Sequence, residues 1–254
     1  MPSAAYAYQA LGSCMRIRVG TSGWVYQHWR GLFYPDDLRQ SDWFAFYARF
    51  FDTVEINNSF YRLPSAAAFA AWREQAPPDF VYAVKASRFL THMKKLRAPE
   101  EPLQRLFERV RCLGPTLGPL LYQLPPHWQV NLSRFETFLA ALPQGYAHVI
   151  EFRDASWLIE AVFGLMERYE VAHCIHDMQP LKVPFRVTAA PVYVRLHGDG
   201  VHGGDYQAEA LEGWARQISE WRGQGLDVYV YFNNDVGGYA IQNARTLRKL
   251  LDAA

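Results

Sequence analysis

Eight short runs of strand-forming residues recur along the chain, and stretches with helical spacing separate most of them. Each run is rich in β-branched and aromatic residues and ends at turn residues, as short buried strands do. The runs are RIRVG (16–20), TVEIN (53–57), VYAVKAS (81–87), LLYQL (120–124), HVIEFR (148–153), VAHCIH (171–176), VYVRLH (192–197) and DVYVYFN (227–233). Eight strands alternating with helices over ~250 residues predict a single-domain α/β fold, a TIM-type (β/α)8 barrel. We place this domain at residues 15–254.

An open, doubly wound sheet is the alternative, but it requires neither eight strands nor this even spacing. The sequence contains no GxGxxG and no GxxxxGK[ST], the glycine-rich loops with which such sheets bind nucleotides. The segment DMQPLKVPF after the sixth run is short and proline-broken, so we predict an irregular connection there. Serines predict two helix starts, one at the capping box from Ser133 to Glu136 and one at Ser156.

Composition limits the classes of partner and location. Half of the residues are hydrophobic and the net charge is +1, which predicts a globular chain without an overall attraction to nucleic acid or anionic membranes. No apolar run approaches the roughly 18 residues of a membrane span. The three cysteines, Cys14, Cys112 and Cys174, are too far apart in the sequence for a zinc knuckle or a disulfide framework. We therefore expect the protein to be located in a reducing cytoplasm.

Residues 1–14 have neither the basic start nor the apolar segment of a signal peptide. Strand character begins only after Met15. We therefore predict that residues 1–14 are an extension that contributes nothing to the barrel. A chain that begins at Met15 should keep its melting temperature within a few degrees.

Polar side chains recur two positions apart at the C-terminal ends of the runs. Because side chains alternate across a strand, residues i and i+2 share a face, and in a barrel that face points at the axis. The pairs are Glu55 and Asn57, Lys85 and Ser87, Glu151 and Arg153, Arg195 and His197, and Asn233 and Asp235. The fourth run adds Gln123, and the sixth adds His176 followed by Asp177. TIM-type barrels hold their sites at the C-terminal mouth, so we predict that these groups converge there.

A purely structural role for these side chains is the competing interpretation, because a single buried ion pair or a strand-end asparagine is usually structural. Isolated buried charges are costly, so part of the set must neutralise itself. The same pattern on five strands nevertheless favours a functional basin.

Seven ordered motifs cover nearly the whole chain, from about Arg16 to Leu251. They are VGTSGW (19–24), TVEINNSFYRLP (53–64), FVYAVKASRFLTH (80–92), LLYQLPP (120–126), EFRDASW (151–157), YVRLHG (193–198) and YVYFNND (229–235). Together they resemble the YecE-like family, known as domain of unknown function 72. The resemblance implies a TIM-type barrel, which agrees with the strand count, and implies no particular reaction.

The first functional hypothesis is an enzyme that uses acid–base chemistry on a small anionic metabolite, phosphorylated or carboxylated and sugar-like. Arginine binds such anions in bidentate fashion, and we expect the anion near Arg195, Gly237 and Gly238, where glycine N–H groups allow close approach. The candidate acids and bases are Glu55, Glu151, His176, His197 and Asp235. The candidate binding residues are Trp24, Asn57, Lys85, Arg88, Gln123, Arg153, Arg195, Asn233, Asn234, Gly237 and Gly238. Trp24 belongs to an aromatic loop that is either a stacking lid or core.

Two alternatives remain open. A metal-dependent phosphoesterase or other hydrolase would bind Zn²⁺ or Mn²⁺ through Glu151, His176, Asp177 and His197, although no His-x-His or His-Glu-x-x-His spacing occurs. A nucleic-acid-binding protein would use the basic loop 85–97, although charged loops are usually solvated surface. No cofactor is predicted, and salt-dependent binding of a random oligonucleotide would separate the nucleic-acid hypothesis from the first.

Overall fold

Eight parallel strands form the centre of the computed structural model, which describes residues 16–198, 200, 202 and 204–253. The strands are β1 (Ile17–Thr21), β2 (Thr53–Ile56), β3 (Val81–Lys85), β4 (Leu117–Gln123), β5 (His148–Glu151), β6 (Ala172–His176), β7 (Val192–Leu196) and β8 (Val228–Phe232). Hydrogen-bonded neighbours follow the order β1-β8-β7-β6-β5-β4-β3-β2. The predicted barrel is confirmed, and each predicted run overlaps its strand. Residues 1–14, the predicted extension, lie outside the described residues.

Helices occupy most of the connections between the strands. They are α1 (Trp43–Tyr47), α2 (Asn58–Tyr61), α3 (Ala66–Gln75), α4 (Glu100–Val110), α5 (Leu132–Ala140), α6 (Glu160–Arg168), α7 (Ala208–Gly223) and α8 (Tyr239–Asp252). The connection from β6 to β7, described throughout, contains no helix, which confirms the irregular segment predicted there. No helix among the described residues is long and apolar enough to cross a membrane.

The two helix starts predicted at serines are wrong. Asn131 caps α5, because its side-chain oxygen accepts a hydrogen bond from the backbone N–H of Arg134 at 3.0 Å. Asp154 accepts from the N–H of Ser156 at 3.0 Å and caps a 3-10 turn that precedes α6. In both places an Asn or Asp stands two residues before the serine, and these side chains cap at least as well as serine does.

The strands separate two layers of apolar side chains. Val54, Ile150 and Val194 belong to the main core shared with the helices, as the sequence pattern predicts. On the opposite face, a second cluster fills the barrel interior, with Leu121 and Tyr231 among its members. Above this inner cluster, toward the C-terminal ends of the strands, the interior becomes polar and holds the candidate site.

Side chains close the barrel between β1 and β2, which share no hydrogen-bonded ladder. The Tyr47 hydroxyl donates to the Thr53 carbonyl at 3.0 Å and accepts from the Thr21 backbone N–H at 3.1 Å. The strands approach closely at Gly20, where a Cβ would lie 2.3 Å from the Thr53 carbonyl oxygen. Glycine at this position therefore lets the seam close.

Candidate functional site

Four charged side chains meet inside the barrel at the ends of β2, β5 and β7. Arg195 lies between two carboxylates, donating to both Glu55 oxygens at 2.8 and 3.0 Å and to Glu151 Oε2 at 2.7 Å. Arg153 donates from its Nε to the other Glu151 oxygen. Glu55, Glu151 and Arg195 are almost wholly inaccessible to solvent. The structure thus brings together the four side chains that form the centre of the predicted basin.

Both carboxylates have their oxygens occupied. Glu55 also accepts hydrogen bonds from the hydroxyls of Ser22 at 2.8 Å and Tyr193 at 2.7 Å. Glu151 also accepts from Gln123 Nε2 at 2.7 Å. Burial alone would raise the pKa of each carboxyl, but the Arg195 guanidinium and a second cation outweigh it, so both pKa values lie below their usual range. This geometry suits fixed acceptors that hold arginines better than groups that exchange protons with a substrate.

The two candidate histidines lie beside this cluster, 5.8 Å apart between ring centroids, and burial lowers the pKa of both. Both nitrogens of His176 are used: Nε2 donates to the Phe152 carbonyl at 2.8 Å, and Nδ1 accepts from the Met178 N–H at 3.3 Å. His197 Nε2 accepts from Arg153 at 3.0 Å, since a guanidinium only donates. The proton of neutral His197 is therefore on Nδ1, which is buried without a hydrogen bond and 3.7 Å from Asp177.

Lys85 is the cation of this region without a carboxylate partner. Among the described residues, no carboxylate oxygen lies within 4.0 Å of its ammonium group, although the side chain is only 8% exposed. Its nitrogen instead lies 4.3 Å from the centre of the Phe60 ring. Burial, with the Arg195 charge nearby, lowers the pKa of Lys85 to about 8. The amine therefore changes charge within one to two units of neutral pH.

The loop after β8 packs against the loop after β1. The Asp235 carbonyl accepts hydrogen bonds from His28 at 2.7 Å and Trp29 at 3.2 Å. The Gly238 N–H donates to the same Asp235 carbonyl at 3.0 Å, and the Asn234 amide group donates to Gly204 and Asn243. The structure therefore engages these groups within the protein, and the N–H of Gly238 is not directed at an anion.

The other predicted residues are spread around the mouth. Trp24 is buried edge-on against Phe44 and Trp72, which places it in the core rather than in a lid. Arg88 is exposed, and Asn233 is half-buried after β8. Asn57 is half-buried with a weak amide contact to the Ser22 carbonyl at 3.4 Å, and its own side-chain oxygen is buried without a partner.

The proposed metal ligands do not assemble. Within the described part of the chain, no three His, Cys, Asp or Glu side chains are grouped so that they could hold a metal ion. Glu151 is paired with two arginines and His176 has both nitrogens bonded, so neither offers a free donor.

Residues 18–254 match the family described as "Protein of unknown function DUF72". The chain belongs to this family. This DUF72 chain is 25% identical to the UPF0759 protein YunF of Bacillus subtilis (strain 168), over 93% of this chain and 95% of YunF. It is 32% identical to the UPF0759 protein YecE of Escherichia coli (strain K12) over 108 residues, which cover 42% of this chain and 40% of YecE.

Solved DUF72 structures have the same fold. The crystal structure of a DUF72 family protein from Thermotoga maritima MSB8 is similar with a TM-score of 0.85 and 26% identity, over 93% of this chain and 99% of that one. A DUF72 family protein from Enterococcus faecalis V583 has a TM-score of 0.80 at 21% identity, over 94% and 96% of the two chains. The second likeness concerns the fold alone.

Three residues of this DUF72 site escaped the sequence analysis. Ser22 and Tyr193 bind Glu55, and Phe60 lies under Lys85. Tyr193 precedes Arg195 by two positions, so extending the i, i+2 rule one step inward would have found it. Nothing in the sequence near Phe60 indicates that its ring faces a lysine on the next strand.

Proposed function

We propose that this protein is an enzyme that binds a small anionic metabolite at the C-terminal mouth of the barrel and acts on it by acid–base chemistry. The substrate would carry a phosphate or carboxylate group on a sugar-like body. The observation that carries the proposal is Lys85, a buried ammonium group with no carboxylate partner among the described residues.

Charge balance explains why Lys85 matters. In the cluster, Glu55 and Glu151 compensate Arg195 and Arg153, and their oxygens are already bonded. Among the described residues no carboxylate pairs with Lys85, whose positive charge lies where burying an uncompensated charge is costly. A substrate anion would supply a negative charge there, so its binding would offset that cost.

His197 is the proton carrier that the geometry favours among the five candidates. Its Nε2 lone pair accepts from Arg153, and its Nδ1–H has no hydrogen-bond partner in the described part of the chain, with an Asp177 carboxylate oxygen 3.7 Å away. An anion that engaged the Arg153 guanidinium would compete for that contact and free Nε2 as a base. The amine of Lys85, with its pKa lowered to about 8, is the second group able to exchange a proton.

Thermal shift with phosphate, sulfate and sugar phosphates tests the proposal. At 100 times its Kd, a ligand stabilises the fold by roughly 2.7 kcal/mol, which is a readily measured rise in melting temperature. We expect this rise in the wild type and not in Lys85→Met. Lys95→Met is the matched control, because Lys95 is an exposed lysine in the segment after β3 and the substitution removes the same charge.

Binding should weaken as the pH rises through about 8, because Lys85 then loses its proton. A Lys85→Met variant that responds to anions like the wild type would refute the proposal. A shift produced by divalent metals alone would favour the metal hydrolase, and salt-dependent binding of a random oligonucleotide would favour the nucleic-acid hypothesis.

A further inference from the structure

A cleft of about 460 Å³ opens between the loop after β1 and helices α2 and α3. Aromatic rings, amides and a hydroxyl group form much of its lining, including Tyr26, Tyr61, Trp72, Asn57, Gln40 and Ser41. None of the described residues that line it is charged. Its volume is within the range of pockets that bind small molecules.

Helix α2 joins this cleft to Lys85. Tyr61 lines the cleft, and its ring lies edge-on to Phe60 at 5.1 Å between centroids. Phe60 also contacts the ammonium group of Lys85, which lies 4.3 Å from the centre of its ring. The neighbouring Ser59 hydroxyl donates to the Lys85 carbonyl at 2.6 Å, which fixes α2 against the end of β3.

The cleft also meets the carboxylate side of the cluster. Tyr26 and Asn57 both donate to the carbonyl of Ser22, whose hydroxyl donates to Glu55. Hydrogen bonds through Ser22 therefore connect the lining of the cleft to the charged cluster.

Two features indicate what the cleft binds. Asn57 lines the cleft, and its buried side-chain oxygen has no hydrogen-bond partner among the described residues, a state that is costly unless a ligand donates to it. Tyr61 is 74% exposed, although it is a large aromatic side chain at a cleft edge. Amides that donate and accept, together with aromatic faces and no charge, suit a ring with several hydroxyl groups.

We propose that this cleft binds the uncharged sugar ring of a substrate whose anionic group lies at Lys85. The ring would pack on Tyr61 and Trp72, and its hydroxyls would donate to Asn57 and exchange hydrogen bonds with Gln40 and Gln75. The sugar assignment stands on the cleft alone, whereas the joint placement rests on the function proposed above.

Calorimetric titration with paired probes tests this inference. The probes are inorganic phosphate, ribose 5-phosphate, glucose 6-phosphate, the two parent sugars and adenosine monophosphate. We expect at least one sugar phosphate to bind about tenfold more tightly than phosphate, which one good aromatic contact and its hydrogen bonds provide. Tyr61→Ala and Gln75→Ala should remove that advantage and leave phosphate binding unchanged, since both side chains are exposed.

Met93→Ala is the control, because Met93 is 67% exposed and lies outside the cleft. Equal affinity for phosphate and every sugar phosphate would overturn the inference, as would an equal loss of phosphate binding in Tyr61→Ala. Tighter binding of adenosine monophosphate than ribose 5-phosphate that depends on Tyr61 would assign the cleft to a base instead. Tyr61-dependent binding of a parent sugar without phosphate binding would support the cleft and refute the anion site.

Discussion

Replacing Arg195 by methionine should destabilise the barrel strongly at neutral pH. The change removes three charge-assisted hydrogen bonds, at 2.7, 2.8 and 3.0 Å, from a side chain that is 1% exposed. Glu151 keeps Arg153 as a partner, whereas Glu55 keeps the hydroxyls of Ser22 and Tyr193 and the more distant charge of Lys85, but no hydrogen-bonded cation. Removing one partner of a buried, hydrogen-bonded ion pair costs about 3–5 kcal/mol, so we expect a loss of that size in the free energy of unfolding.

The loss should depend on pH in a defined direction. In the wild type, the pKa of Glu55 is below its usual range, so its contribution to stability is complete above the unfolded pKa and fades as the pH falls through the folded pKa. In Arg195→Met, Glu55 loses the cation that most lowers its pKa, so this pKa rises and protonation relieves the variant as the pH falls. The difference between the two proteins should be largest near pH 7–8 and should shrink toward pH 4–5.

Urea unfolding followed by fluorescence at several pH values measures both effects. Arg186→Met is the matched control, because Arg186 also lies between two carboxylates, Glu160 and Glu167, but on the surface. We expect little change there at any pH, since solvent screens exposed pairs. If Arg195→Met costs no more than Arg186→Met, or if its cost is independent of pH, Arg195 does not compensate the buried carboxylates.

Two further changes test the account of stability. Lys85→Met should raise the free energy of unfolding at pH 7 by up to about 3 kcal/mol, because the folded protein binds the Lys85 proton more weakly than the unfolded chain does. The wild type gains stability as the pH rises from about 8, so the advantage of the variant should vanish above about pH 10. An advantage that persists above about pH 10 would contradict the lowered pKa of Lys85. Gly20→Ala should lower the free energy of unfolding by about 1–3 kcal/mol, because the added methyl group pushes β1 away from Thr53. Gly164→Ala in α6 should raise it by about 0.5–1 kcal/mol, because no described atom lies within 4 Å of the added methyl group. Equal melting temperatures for the two variants would contradict the close approach of β1 and β2.

The barrel could be predicted because its information is local. Val54, Ile150 and Val194 alternate with charged residues, and this period of two specifies both the strand and the side on which each residue lies. Helix boundaries are less certain, because Ser133 and Asn131 are both competent caps and the choice depends on the backbone around them. The same holds for Ser156 and Asp154.

The site could be predicted as a location but not as a set of partners. The i, i+2 rule places Glu55 and Arg195 at one mouth, yet only closure of the barrel determines that they pair across it. The glycines after β8 carry a sequence signal for anion binding, but the N–H of Gly238 is used by Asp235 because this loop packs on the loop after β1. Trp24 belongs to an aromatic loop whose burial depends on distant residues of α1 and α3.

The ion pairs of the mouth have a consequence for the order of folding. Glu55 and Arg195 lie 140 positions apart, on β2 and β7, so the cation that compensates Glu55 is synthesised long after the carboxylate. A partial barrel that lacked β7 would bury the carboxylates of Glu55 and Glu151 without Arg195, and their desolvation would lower its stability. Contacts between residues so distant in sequence form late in folding, and a chain that lacks them leaves buried carboxylates without their cation. The charged cluster therefore disfavours stable half-barrels and makes barrel closure a cooperative step of the whole chain.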